Sequence, residues 1–160
     1  MKLPDVELVP VSEDAAAAIL EGEAPAGMSF PEDYPSEFSA GIAEAVGEDG
    51  MVGPFFIRSC ADGLIVGELG GAFIDDSTIE IGYAVVDSMS GRGYATAAVV
   101  EILKVAREQP AARRVVAHTP PDRPASSRVL AKAGFRSRGQ VEDEHEGHKI
   151  TVEEWEFALA

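Results

Sequence analysis

The sequence predicts an α/β fold of the mixed α+β kind, one sheet covered by helices, and three observations carry that prediction. A strand pattern and a capped helix open the chain, apolar β-rich runs joined by Asp-Gly fill the middle, and helix, strand and helix then precede a closing hairpin. The chain has 160 residues, 46% hydrophobic and 26% charged. That suits one domain over residues 1–160 and excludes the disordered, collagen-like and coiled-coil classes.

Each element has a local reason. Val6–Val11 reads as a short strand, and Ser12 then caps a helix to about Leu20, with Glu13 and Asp14 against the positive end of its dipole. Residues 22–35 hold Gly22, Pro25, Gly27, Pro31 and Pro35 among Met28, Phe30 and Tyr34, a loop that serves either as a substrate lid or as cover for the core. A second helix is expected over Ser36–Val46. Pro54–Cys60 and Leu64–Leu69 should pair antiparallel, because Asp62-Gly63 supplies the positive φ of a tight turn, and this places Cys60 in a core strand.

Period two over Thr78–Val86 puts Ile79, Ile81, Tyr83 and Val85 on a bulky face. Glu80, Gly82, Ala84 and Val86 take the other, small face with its one carboxylate. Tyr94–Glu108 is helical, with Ala98, Val99, Ile102 and Leu103 on its apolar stripe, and Pro110 ends it. Arg114–His118 reads as a strand and Ala125–Ala133 as a helix stopped by Gly134. Strands starting at Phe135 and at Ile150 close the chain as a hairpin.

Charge narrows the partners. Thirteen Lys and Arg stand against 28 Asp and Glu, a net charge of -15, which repels phosphate backbones and anionic lipid, so no nucleic acid and no membrane partner is expected. No leader pattern and no apolar run near the ~20 residues of a membrane span is present. The single cysteine, Cys60, excludes a disulfide framework and a multi-thiolate zinc site and fits a reducing, cytoplasmic home. The charge is uneven, however. Residues 1–53 hold Lys2 alone against twelve acids, whereas residues 88–138 hold ten bases against three acids. The basic stretch either meets an anion or is a set of solvated faces.

Ser90-Gly91-Arg92-Gly93-Tyr94-Ala95-Thr96, between a strand and a helix, is the most informative stretch. Two glycines let backbone approach a ligand, and a helix N-terminus presents unpaired N–H groups and partial positive charge to a phosphate. A dinucleotide fingerprint would require glycine at Thr96, and no GxxxxGK[ST] loop occurs.

Three stretches in order, Glu80-Ile81-Gly82-Tyr83, Gly91 to Thr96, and Ala125-Ser126-Ser127-Arg128 through Ala133-Gly134-Phe135, resemble the landmarks of the GNAT superfamily of N-acyltransferases. The RimJ/RimL-like branch is the nearest in appearance, and the resemblance covers roughly residues 54–158. It implies a central, mostly antiparallel sheet with one parallel pair, formed by the strands at Thr78 and Arg114, and about four flanking helices. It also implies acetyl-CoA as co-substrate, no metal, and direct transfer of the acetyl group in a ternary complex to a primary amine, either a small amine or a protein N-terminus. A homodimer is compatible with it.

Carried onto this chain, the resemblance gives backbone near Val85 and Val86 to the pantetheine arm and the developing oxyanion. The N–H groups of Gly91, Arg92, Gly93, Tyr94, Ala95 and Thr96 go to the pyrophosphate. Arg92 and Arg128 become candidates for the cofactor phosphates, and Ser126 lies near the thioester. The chain departs from the pattern at Ser90, where Arg or Gln is usual, at Arg123, where Asn is frequent, and at Leu130, where many members have a tyrosine acid. Thiolate protonation then falls to Ser126 or water, while a helix-start cap is the alternative role of Ser126. Glu80, on the small-residue face, is the candidate general base, directly or through water.

Other groups are read as structural. His118 before Pro120 is expected to be a satisfied strand-end residue, and His145 and His148, among Glu142, Asp143, Glu144 and Glu146, a solvated hairpin tip. Cys60 is not expected to carry the acyl group. The acidic first third either draws in a cationic acceptor or serves solubility. Two further functions stay open: a GNAT-fold module that binds acyl-CoA without turnover, and a nucleotide or sugar-phosphate binder using the same glycine turn.

Overall fold

The computed structural model describes residues 2–145 and 147–159. In chain order its elements are β1 (Val6–Pro10), α1 (Glu13–Leu20), α2 (Ser39–Glu44), β2 (Met51–Ser59), β3 (Ile65–Phe73), β4 (Thr78–Val85), α3 (Tyr94–Arg107), β5 (Arg114–Thr119), α4 (Pro124–Lys132), β6 (Arg136–His145) and β7 (His148–Ala158). The strands form a seven-stranded sheet in the order β1-β2-β3-β4-β5-β7-β6. Its neighbours are antiparallel except β4 and β5, the parallel pair that the family resemblance implies.

Local chemistry explains most element boundaries. Ser12 caps α1 as expected, its Oγ accepting the Ala15 N–H at 3.1 Å. The second helix is shorter than its apolar pattern suggests, because Ser36 and Ser39 divert the first turn. Ser39 Oγ takes the Ser36 N–H at 3.0 Å and Ser36 Oγ takes the Phe38 N–H at 3.2 Å, side-chain bonds that compete with helical ones. Cys60 is exposed, which corrects its assignment to a core strand. The hairpin turn starts one residue earlier: Ser59 N–H donates to Leu64 O and Gly63 N–H to Ser59 O, so Cys60 falls inside the turn.

The core lies between the sheet and its helices. Phe56, Ile57, Ile65, Leu69, Ile79, Ile102 and Leu130 are fully buried within it. The period-two reading of β4 holds. Ile79 and Ile81 are buried with the helix-facing core, and Tyr83 on the same face reaches α4 by donating to Ser126 O at 3.0 Å. On the opposite face β3 carries Glu68, 1% exposed and in register with Ala84, and Ser39 of α2 donates to its Oε1 at 2.7 Å. Glu68 Oε2 and the Tyr34 hydroxyl, both buried, have no partner with hydrogen-bond geometry among the described residues. Burial pushes the Glu68 carboxyl upward against the opposing effect of the nearby Tyr34 and Ser39 hydroxyls, and burial with the nearby Glu68 pushes Tyr34 upward too.

β3 and β4 touch most tightly at Gly67, where a Cβ would lie 2.0 Å from the Ala84 carbonyl oxygen. Gly67→Ala is therefore expected to lower unfolding free energy by about 2–4 kcal/mol in denaturant titration. Gly82→Ala, whose Cβ would meet nothing within 4 Å, should leave it unchanged. Glu68 gives a prediction with a sign. A carboxyl raised by burial contributes stability that is present in acid and lost as pH climbs through its folded pKa. Glu68→Gln keeps the Ser39 contact and removes that loss, so the variant should melt above the parent at pH 8, with the gain vanishing towards pH 4.

Candidate active site

β4 and β5 pair only over Thr78–Glu80 and Arg114–Val116, and beyond that the strands part. A cleft of about 500 Å³ opens in the gap, a size typical of ligand sites. The antiparallel ladder fixes which backbone groups face it. Ile74 N–H bonds Thr78 O and Val86 N–H bonds Val66 O at 2.9 Å, so the even positions of β4 are turned to β3. Ile81, Tyr83 and Val85 alternate with them and present their N–H and C=O groups to the gap. Val85 lines the cleft, whereas Val86 is 2% exposed and its N–H is taken by β3.

The far end of the cleft presents backbone geometry that suits an anion. Gly91 and Gly93 have φ of +75° and +88°, and Gly93 is the N-cap of α3 with no side chain capping the turn. Ala97 N–H is the first to bond back, to Gly93 O, which leaves the N–H groups of Tyr94, Ala95 and Thr96 without helical partners. Gly91, Gly93, Tyr94, Ala95 and Thr96 line the cleft; Arg92 is exposed at the turn and does not. Ser90 does not replace the longer side chain usual there, since its hydroxyl turns back to the Asp87 carbonyl at 2.8 Å.

The wall opposite is the start of α4. Arg123 is its N-cap and Pro124 its first residue, so Ser126 is not the cap. Ser126 is half-buried and lines the cleft beside Arg128, with its carbonyl held by Tyr83. Burial pushes the Tyr83 hydroxyl up to about 12, so it stays a donor. The Arg123 guanidinium lies 4.7 Å from the centroid of Phe38 and 3.7 Å from Glu37 Oε1, joining α4 to the segment before α2 across the cleft mouth. The loop over residues 22–35 is core cover: Tyr34 is buried and stacks on Phe30 at 4.4 Å. Asp33 pins it to the turn after β4, taking the Ser88 hydroxyl at 2.7 Å and N–H at 2.9 Å.

At the inner end stands His118, which lines the cleft. Its Nδ1 is 3.1 Å from Asp143 Oδ2 on β6 and its Nε2 is 3.0 Å from Glu154 Oε2 on β7. Burial opposes its charge, but the two carboxylate hydrogen bonds and the charges of Glu80 and Asp143 outweigh burial and raise its pKa. When protonated, the ring donates from both nitrogens and then offers no lone pair as a base. Glu80 lies on the same face, half-exposed and outside the cleft lining. Among the described residues it has no hydrogen-bonded or ion-paired partner. No local signal marks the His118 cluster, because Asp143 and Glu154 lie 25 and 36 residues from His118 in the chain.

Residues 5–136 match the acetyltransferase (GNAT) domain family. No curated protein sequence is matched. Among solved structures the chain is similar to a mutant form of the spermidine N-acetyltransferase SpeG from Vibrio cholerae, at 15% identity over 96% of this chain and 94% of that one, with a TM-score of 0.69. It is also similar to RimL, a ribosomal alpha-N-protein acetyltransferase, at 17% identity over 96% of this chain and 93% of that one, TM-score 0.69. A third similar structure is an acetyltransferase of the GNAT family from Bacillus anthracis, at 16% identity over 99% of this chain and 98% of that one, TM-score 0.68. With the family match spanning well over half its length, the chain belongs to the acetyltransferase (GNAT) domain family, the acetyl-CoA-dependent N-acyltransferases.

Proposed function

We propose that this chain, as one domain over residues 1–160, moves the acetyl group of acetyl-CoA to a primary amine by direct attack in a ternary complex. The supporting observation is the continuous track from the unpaired β4 edge at Tyr83 and Val85 to the uncapped start of α3. An extended amide-bearing arm is matched by a free strand edge, and a pyrophosphate by helical N–H groups. Gly91, Gly93, Tyr94, Ala95 and Thr96 therefore hold the pyrophosphate. Arg128 on the facing wall, and Arg92 at the rim, meet the outer phosphates.

In this reading Val85 N–H faces the thioester oxygen and stabilises the charge that develops there. Glu80 takes the proton from the incoming ammonium through a water, since it stands outside the cleft lining. The amine nitrogen then bonds the carbonyl carbon, the C–S bond breaks, and the thiolate gains a proton with Ser126 and water as donors. Cys60, exposed in a hairpin turn, takes no part. Glu80, Asp143 and Glu154 make the acceptor end anionic, which favours cationic amines, whether a polyamine such as the spermidine named for SpeG or a protein N-terminus as named for RimL. A second reading, acyl-CoA binding without turnover, is favoured by Leu130, fully buried where a tyrosine acid is usual in the family.

The thermal midpoint with acetyl-CoA, CoA, ATP or NAD added separately tests the cofactor. A ligand at 100 times its Kd stabilises by about 2.7 kcal/mol, so acetyl-CoA and CoA should raise Tm by several degrees and the others should not. No shift at millimolar acetyl-CoA would sink the proposal. Glu80→Gln should cut kcat with a cationic amine roughly 10²- to 10⁴-fold while leaving the Kd of acetyl-CoA unchanged. Thiol release across an amine panel reads this directly. A parent with no turnover on any amine would leave the binding module as the function.

A further inference from the structure

The segment ahead of β1 lies against the anion-binding turn. Leu3 lines the cleft at the end where Gly91 and Gly93 also line it. A Cβ on Gly93 would stand 3.0 Å from Pro4 Cδ and 3.6 Å from Leu3 Cδ2, so this segment packs directly on the backbone of the α3 cap. Its other end is fixed where Cys60 N–H donates to Asp5 O at 3.1 Å, one step beyond the β1–β2 ladder. Between these anchors a gap of about 160 Å³ separates the segment from Ala97 and Val100 of α3. The segment is thus a strap tied at both ends, and it bears on the helix chiefly at Gly93.

Position along the cleft decides what the strap can meet. Leu3 lines the cleft beside Gly93, at the α3 N-terminus. A coenzyme A whose pantetheine follows β4 and whose pyrophosphate meets Tyr94–Thr96 carries its adenosine at that point, where an apolar surface suits a purine. We propose that Leu3 and Pro4 complete the adenosine end of the site. Pro4 packs behind Gly93 and holds the turn, and Leu3 supplies an apolar wall to the nucleoside. The inference rests on the acetyl-CoA reading above and adds positioning residues that none of the sequence motifs contains. Any side chain at residue 93 would strike Pro4, so the strap and the glycine are mutually dependent as well.

Titration calorimetry with CoA and with 4′-phosphopantetheine, which lacks the adenosine, separates this role from a merely structural one. Leu3→Ser should weaken CoA roughly tenfold, as expected for one lost apolar contact, and leave 4′-phosphopantetheine unchanged. Leu3→Met should restore the CoA affinity, and the Leu3→Met to Leu3→Ala comparison gives the same split if the serine variant folds poorly. An unchanged CoA affinity, or equal weakening of both ligands, would overturn the strap while leaving the acetyl-CoA reading intact. A parent chain that binds neither ligand would overturn that reading, and the strap with it.

Discussion

The run-out of pairing between β4 and β5 after Glu80 and Val116 is the constraint on which the rest of the structure depends. β4 follows β3 to its end, through the register from Phe73–Ile79 to Gly67–Val85, while β5 follows β7 through six paired residues. The sheet is in effect two antiparallel halves sharing a short parallel seam. Backbone N–H and C=O groups buried without partners cost free energy, so the free edge at Tyr83 and Val85 is a standing demand for a ligand or water. Gly67 strengthens this arrangement from behind. Its missing side chain lets β3 close on Ala84, which keeps β4 with β3 and away from β5.

Charge is then sorted along the gap. At one end the α3 N-terminus, Arg128 and Lys132 face the cleft; at the other, carboxylates gather around His118. The basic stretch over residues 88–138 is only partly an anion site. Lys104 pairs with Glu101, Arg107 lies over Phe157, and Arg114 and Arg138 share Glu156, so several of these bases are surface or structural partners. His118 bonds Asp143 and Glu154 and so ties β5 to both strands of the hairpin. Glu80, without a hydrogen-bonded or ion-paired partner among the described residues, is the carboxylate to which the proposed reaction gives proton transfer, and charges fixed in this way act over the short distances of a cleft less screened than open water.

What the sequence made legible was whatever period and local capping encode. The two faces of β4, the Ser12 cap and the glycine turn are readable because each depends on neighbours in the chain, whereas the parallel seam comes from the family resemblance alone. Three readings failed for physical reasons. Cys60 was assigned to a strand because its apolar run ends there, while the turn hydrogen bonds of Ser59 and Gly63 enclose it. The helix expected over Ser36–Val46 lost its first turn to serine side chains. Val85 and Val86 were both given to the ligand, although consecutive residues of a strand point their N–H groups to opposite edges, a rule that already allowed only one of them. The His118 cluster and the Ser39–Glu68 contact join residues far apart in the chain, and no local pattern could show them.

The chemistry of the departing sulfur follows from the same packing. Leu130 is wholly buried, and Tyr83, which reaches that wall, spends its hydroxyl on the Ser126 carbonyl and is held protonated by burial. Neither can serve as a side-chain acid from α4. The proposed reaction does not need one: the attacking nitrogen must shed a proton as its bond to carbon forms, and the thiolate must gain one as its bond to carbon breaks. A thiol near the ordinary value of about 8.5 leaves readily as thiolate at mild alkalinity, so one proton passed between these atoms, through Ser126 or a water, balances the step. The burden then shifts to delivering a neutral amine, the task that the proposed reaction gives to Glu80.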